Sequence, residues 1–81
     1  MSNNGQQAII NFLKQSVGKQ CTVALSNRVE VRGVLCTIDG FLNLVLKNAG
    51  EYVQGQKIFD FPSVFIRGNN VTHVAPIEST N

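Results

Sequence analysis

Residues 29–47 read V-E-V-R-G-V-L-C-T-I-D-G-F-L-N-L-V-L-K. Two β-rich runs flank one turn signal. Val29, Val31, Val34, Leu35, Cys36, Thr37 and Ile38 favour extended chain, and Asp39-Gly40 marks a reversal after them. Leu42, Leu44 and Leu46 then alternate with Asn43, Val45 and Lys47, the period of a strand. Gly33 interrupts the first run. A glycine inside a strand marks a bulge or a sharp bend. A strongly bent second strand lets a short sheet curl into a barrel.

Working outward, residues 1–5 are polar and are expected to be a flexible N-terminus. Over 6–17 the spacing is helical. Ile9, Ile10, Leu13 and Val17 fall on one face, and Gly18 is placed to end the helix. Cys21, Val23 and Leu25 alternate as a first strand, and Ser26-Asn27-Arg28 turns into the second. The third strand starts at Leu42 and continues or frays through Tyr52. Gln54-Gly55-Gln56 is the next turn. Residues 58–66 form a fourth strand, whose Pro62 belongs at an edge or a bulge. Gly68-Asn69-Asn70 is a tight turn, and Val71 to Val74 make a short last strand. The tail 76–81 is expected to be flexible. One domain over 6–75 follows: all-β, a short N-terminal helix and then a five-stranded, strongly bent, antiparallel, partly open barrel.

An open barrel has two edges, and edges pair with other chains. The long apolar run 58–66 lies near the end of the sheet. Pairing one edge with a different edge of the next copy generates rings when the rotation closes.

Composition narrows function by exclusion. The formal charge is only +2, and the seven basic residues (Lys14, Lys19, Arg28, Arg32, Lys47, Lys57 and Arg67) are scattered. Binding RNA with so little charge requires stacking and hydrogen bonds, or several copies converging on one site. Cys21 and Cys36 read either as a disulfide pair or, the favoured reading, as two reduced thiols packed in strands. With a single histidine, His73, they make no metal-ligand cluster, so neither metal nor cofactor is expected. No nucleophile elbow, carboxylate pair or phosphate-cradling glycine loop is present, so an enzyme is not expected. The N-terminus lacks a basic region followed by an apolar run, and no apolar stretch approaches bilayer length. The chain reads as intracellular.

Two turns stand out. In Asp39-Gly40-Phe41-Leu42-Asn43 an aromatic ring occupies a turn. It either stacks a base or tucks into the barrel mouth. Asn43 carries donor and acceptor groups that can read a base edge, and Asp39 can brace the loop. In Arg67-Gly68-Asn69 an arginine ends an apolar strand. It either lies flat on a base or is an ordinary solvated strand end.

Together the two turns carry a resemblance. V-R-G-V-L-C-T-I-D-G-F-L-N-L-V-L over 31–46 resembles the first motif of the Sm-like (Sm/LSm) family, and F-I-R-G-N-N-V over 65–71 resembles its second. F-L-K-Q-S-V-G-K, D-G-F-L-N and G-E-Y-V-Q-G are similar to the sixth eukaryotic Sm-like subfamily and to its counterpart, the Sm F type. Asn27-Arg28 lacks the glycine often found at that turn, and Phe61-Pro62 replaces a more usual tyrosine-glycine pair. The resemblance implies the Sm fold and rings, usually of seven subunits, joined by the fourth strand of one subunit and the fifth of the next. It implies that Phe41 and Arg67 sandwich a base, that Asn43 hydrogen-bonds it, that Asp39 braces its loop, and that Gly68 and Asn69 shape the other. The implied partners are other Sm-like subunits and uridine-rich single-stranded RNA, including the 3′ end of U6 small nuclear RNA in the nucleus. Deadenylated messenger RNA 3′ ends in the cytoplasm, and roles in splicing, decapping and decay, complete that implication.

Other readings compete. An Sm F-type subunit of the spliceosomal core ring is the nearest. A bacterial or archaeal homo-oligomeric ring is another, but the bacterial Lys-His pair is missing, since Thr72 precedes His73. An SH3-like protein-interaction module is the reading from a different class. It needs an aromatic-lined groove, and this chain has no tryptophan and one tyrosine.

Overall fold

A computed structural model describes residues 4–77, with side chains from Gln7 onward. The elements are α1 (Asn4–Lys14), β1 (Gln20–Leu25), β2 (Val29–Ile38), β3 (Leu44–Val53), β4 (Gln56–Ile66), one 3₁₀ turn (Gly68–Asn70) and β5 (Val71–Pro76). All pairings are antiparallel, in the order β4-β3-β2-β1-β5. The sheet is bent and not closed, so β4 and β5 are its two edges.

Alternation builds the core. Cys21 and Val23 of β1, Val31 and Leu35 of β2, and Leu44 and Leu46 of β3 all face inward and are buried. Ala49 and Ile66 complete this cluster. Leu44 and Leu46 have even parity, yet Ala49 is odd. The switch occurs at Asn48, whose φ is +50°. Arg32 pairs with Gly50 and Val34 with Lys47, so two β3 residues lie opposite Gly33 alone. That is a bulge, and it moves the inward-facing set by one residue. Gly33 permits the bulge by having no side chain. A Cβ there would sit 2.9 Å from the Lys47 carbonyl oxygen and 3.0 Å from both Cα and Cβ of Ala49.

Several boundaries differ from the sequence expectation. The helix ends at Lys14, not Val17. Three tight turns follow, in which Gln15, Ser16 and Val17 donate to carbonyls three residues back. Gly18, at φ +91°, then donates to the Leu35 carbonyl. Only Ile10 and Leu13 of the predicted apolar face are buried, while Ile9 and Val17 remain exposed. The third strand starts at Leu44 because Leu42 has φ +66°. Only Gln54-Gly55, both at positive φ, forms the β3–β4 turn, and Gln56 and Lys57 already belong to β4. Such a two-residue turn with positive φ at both positions matches the twist of a hairpin. Of the expected N-terminal tail, Asn4 and Gly5 are helical. Of the C-terminal tail, Pro76 pairs with Cys21, and Ile77 donates to the Gln20 carbonyl. The remainder of both tails lies outside the described residues.

Replacing Gly33 by alanine forces β2 and β3 apart at the bulge and is expected to cost about 1–3 kcal/mol. Gly40→Ala serves as the control, because a Cβ at Gly40 meets nothing within 4 Å. Urea denaturation should lower the midpoint for Gly33→Ala alone. Equal midpoints for both variants would refute this account of the bend.

Candidate nucleic-acid interface

The Asp39 side chain organises the first loop. One carboxylate oxygen, Oδ1, accepts the backbone N–H groups of Phe41 at 2.8 Å and Asn43 at 3.0 Å. The other, Oδ2, accepts the Asn43 side-chain amide at 3.0 Å. The Asp39 N–H donates to the Asn43 carbonyl, and the Leu42 N–H donates to the Asp39 carbonyl. An aspartate that folds the following backbone onto its own carboxylate is the expected chemistry of Asp-Gly turns. The consequence is the placement of Phe41, which does not tuck into the barrel mouth. Its residue exposure is 78%.

The second loop is fastened to the first. Asn43 Oδ1 accepts the Gly68 backbone N–H at 2.7 Å, across 25 residues of sequence. Gly68 is needed for space. A Cβ there would overlap the Phe41 carbonyl oxygen. The Asn70 N–H closes the turn on the Arg67 carbonyl at 3.0 Å. Arg67 follows the buried Ile66 at the end of β4 and is itself exposed. Its guanidinium has no hydrogen bond or ion pair among the described residues, and Asn69 is likewise exposed.

Electrostatics favour an anionic or aromatic ligand here. Arg32 is engaged by Glu30 at 3.1 Å and lies 4.1 Å over the Tyr52 ring, and Lys57 is paired with Asp60 at 2.7 Å. Arg67 has no such partner among the described residues. The Asp39 carboxyl lies below its ordinary value, first through the Asn43 side-chain amide and then through the Phe41 N–H. It is therefore a fixed, ionised brace at neutral pH. Asn43 retains one amide N–H and one oxygen lone pair for a ligand.

The structure thus brings together Asp39, Phe41, Asn43, Arg67 and Gly68 in two joined loops. The bond from Gly68 to Asn43 was not anticipated from sequence. Leu42 at positive φ was not either. A D-x-x-x-N spacing followed by a strand-end R-G pair is the signal that could have found the bond.

The profile described as "LSM domain" matches residues 11–76. The chain belongs to the LSM domain family. Its relatives include the LSM complex subunit lsm6 of Schizosaccharomyces pombe, 40% identical over 83% of this chain and 89% of that protein. The U6 snRNA-associated Sm-like protein LSm6 of Debaryomyces hansenii is 44% identical over 79% of this chain and 75% of that protein. Among solved structures, the Pyrococcus abyssi Sm protein, in complex with a uridine heptamer, superposes with TM-score 0.81 at 31% identity. It covers 83% of this chain and 94% of its own. A heptameric archaeal Sm protein superposes with TM-score 0.78 at 34% identity, covering 84% of this chain and 98% of its own. This LSM domain has its helix first and its two motif loops fastened together.

Two measurements test the loop chemistry. Asn43→Ala leaves the Gly68 N–H unmet and should cost about 1–2 kcal/mol in chemical denaturation. An unchanged midpoint would deny the clamp. The second is acid sensitivity. The native Asp39 value is depressed, so its contribution is complete above the ordinary 3.8 and is lost as pH falls through the lower native value. The melting temperature of Asp39→Asn should therefore fall less steeply with acid below about pH 4 than that of the parent chain. Parallel curves would rule the brace out.

Proposed function

We propose that the chain is a non-enzymatic RNA-binding subunit of a ring of Sm-like subunits, holding uridine-rich single-stranded RNA on its two joined loops. One observation carries this reading: an outward-facing aromatic, and an arginine with no hydrogen bond or ion pair among the described residues, flank a pre-formed hydrogen-bonded clamp. Stacking on Phe41 needs no particular sequence, because every base has a π-face. Arg67 adds a planar cation that stacks and contacts phosphate. The free half of the Asn43 amide supplies base-edge discrimination, and Asp39, Gly68 and Asn69 shape the two loops.

The modest charge suits this arrangement. A single subunit contributes a little positive potential and one base site, and several subunits around one opening sum to a continuous path. The two open edges supply the means of assembly. β4 exposes Ile58, Phe59 and Phe65, and β5 is unpaired on its outer side. Pairing β4 of one subunit with β5 of the next joins neighbouring subunits and closes a ring.

The relatives named for U6 snRNA association support the U6 3′ end as the nuclear ligand, in pre-mRNA splicing. A cytoplasmic ring acting on deadenylated messenger RNA 3′ ends, in decapping and decay, extends the same binding chemistry. The same names favour this Sm-like role over the Sm F-type role in the spliceosomal core.

Phe41→Ala and Arg67→Ala should each weaken oligouridine binding about fivefold or more, on the order of one lost stacking contact. Fluorescence anisotropy on the reconstituted ring measures the affinity, and native mass spectrometry checks that assembly is intact. Unchanged affinity for both variants would sink the site.

A further inference from the structure

Leu42 stands between the exposed Phe41 and the clamped Asn43, with φ +66°. Leucine rarely adopts this left-handed region, where its Cβ crowds the following carbonyl oxygen, and a side chain kept there is held by its surroundings. Two holds are visible. The Leu42 N–H donates to the Asp39 carbonyl at 3.2 Å, a bond that uses backbone alone. The side chain supplies the other. Leu42 is half-buried and lines a hollow of about 270 Å³ between the first loop, α1 and β5. Ile9, Phe12 and Leu13 of α1 and Val71 and Val74 of β5 give that hollow an apolar wall, against which the leucine is drawn out of water.

Phe41 has no comparable hold on its ring. Its exposure is 78%, and the ring makes no aromatic or cation contact among the described residues. Its backbone is fixed instead. The Phe41 N–H donates to Asp39 Oδ1, and its carbonyl lies so close to Gly68 that a Cβ there would overlap the carbonyl oxygen and come within 3.0 Å of the Leu42 carbonyl carbon. Asn43 is fixed by Asp39 and Gly68 on the other side. A return of Leu42 to negative φ would therefore swing the Phe41 side of the loop and not the Asn43 side.

We propose that Leu42 is a positioning residue for RNA: its side chain, anchored against α1 and β5, holds the left-handed turn that aims the Phe41 ring at a base. The proposal rests on the RNA-binding reading above. Leu42 need not touch RNA itself. An anchored leucine sets the ring's direction before RNA arrives, so binding does not have to order the loop. Glycine takes the same φ without strain but has no anchor. Asparagine also visits this region, with a polar side chain that the apolar wall does not suit. Methionine keeps an apolar anchor of similar size.

Reconstituted rings carrying each variant are titrated with oligouridine by fluorescence anisotropy, and native mass spectrometry checks their assembly. Leu42→Gly and Leu42→Asn should each weaken binding about fivefold in assembled rings, and Leu42→Met should bind as the parent does. Added to Phe41→Ala, Leu42→Gly should cause little further loss, because its effect passes through the Phe41 ring. Parent-like affinity for both Leu42→Gly and Leu42→Asn overturns the positioning role. So do fully additive losses in the double variant, or a Leu42→Met ring as weak as the Leu42→Gly ring. Loss of assembly in both Leu42→Gly and Leu42→Asn overturns it too, since the leucine would then serve the fold. Failure of the RNA-binding reading looks different: Phe41→Ala alone would bind as tightly as the parent.

Discussion

Gly33 has no room for a side chain, and the shape of the sheet depends on that. The Lys47 carbonyl and Ala49 come against its Cα face, and the bulge at Asn48 takes up the extra residue opposite it. Bending β2 and β3 there lets one five-stranded sheet wrap its own core rather than lie flat. It also lets Leu44, Leu46 and Ala49 point inward despite their broken parity. A continuous, unbulged β3 would turn Ala49 outward and Asn48 in, burying an amide without a partner. The bend and the core are one constraint.

The loops inherit their rigidity from the same pairing. Leu44 pairs with Ile66, so the first residue of β3 and the last of β4 are neighbours. The residues just beyond them, Asn43 and Arg67-Gly68, are therefore brought together by register before any side chain acts. The bond from Gly68 to Asn43 then fixes what the register has approximated. Asp39 holds Asn43 from the other side. Three residues thus share one short chain of bonds, to which Phe41 adds its backbone N–H, and the side chains of Phe41 and Arg67 project from it. This separation lets the exposed side chains change with little structural consequence, whereas the residues beneath them cannot.

Much of this was legible in the sequence where the signal is local. Gly33 marked a bend, Asp39-Gly40 a turn, and the alternation on either side two strands. The Asp39 brace follows from a local turn preference. What was illegible is set by tertiary geometry. Periodicity assigned Ile9 and Val17 to the helix's covered face, but the sheet beneath reaches only Ile10 and Leu13. Propensity placed Leu42 in a strand, but the loop's hydrogen bonds hold it at positive φ. Gly68 read as part of a tight turn, yet its role is steric clearance for the Phe41 carbonyl. Each depends on a neighbour remote in sequence.

Charge follows the same logic of sharing. Arg32 and Lys57 are bound to Glu30 and Asp60 on strands away from the loops, which neutralises that part of the sheet. Among the described residues, cations without carboxylate partners remain at Lys14, Lys19, Arg28, Lys47 and Arg67, and of these Arg67 stands beside the joined loops. A net charge of +2 therefore understates the local potential where it matters. Because exposed ion pairs are weak, pairing Arg32 and Lys57 adds little to stability. Its larger effect is spatial: it neutralises two cations on β2 and β4 and leaves Arg67, without an ion-pair partner among the described residues, where the two loops meet.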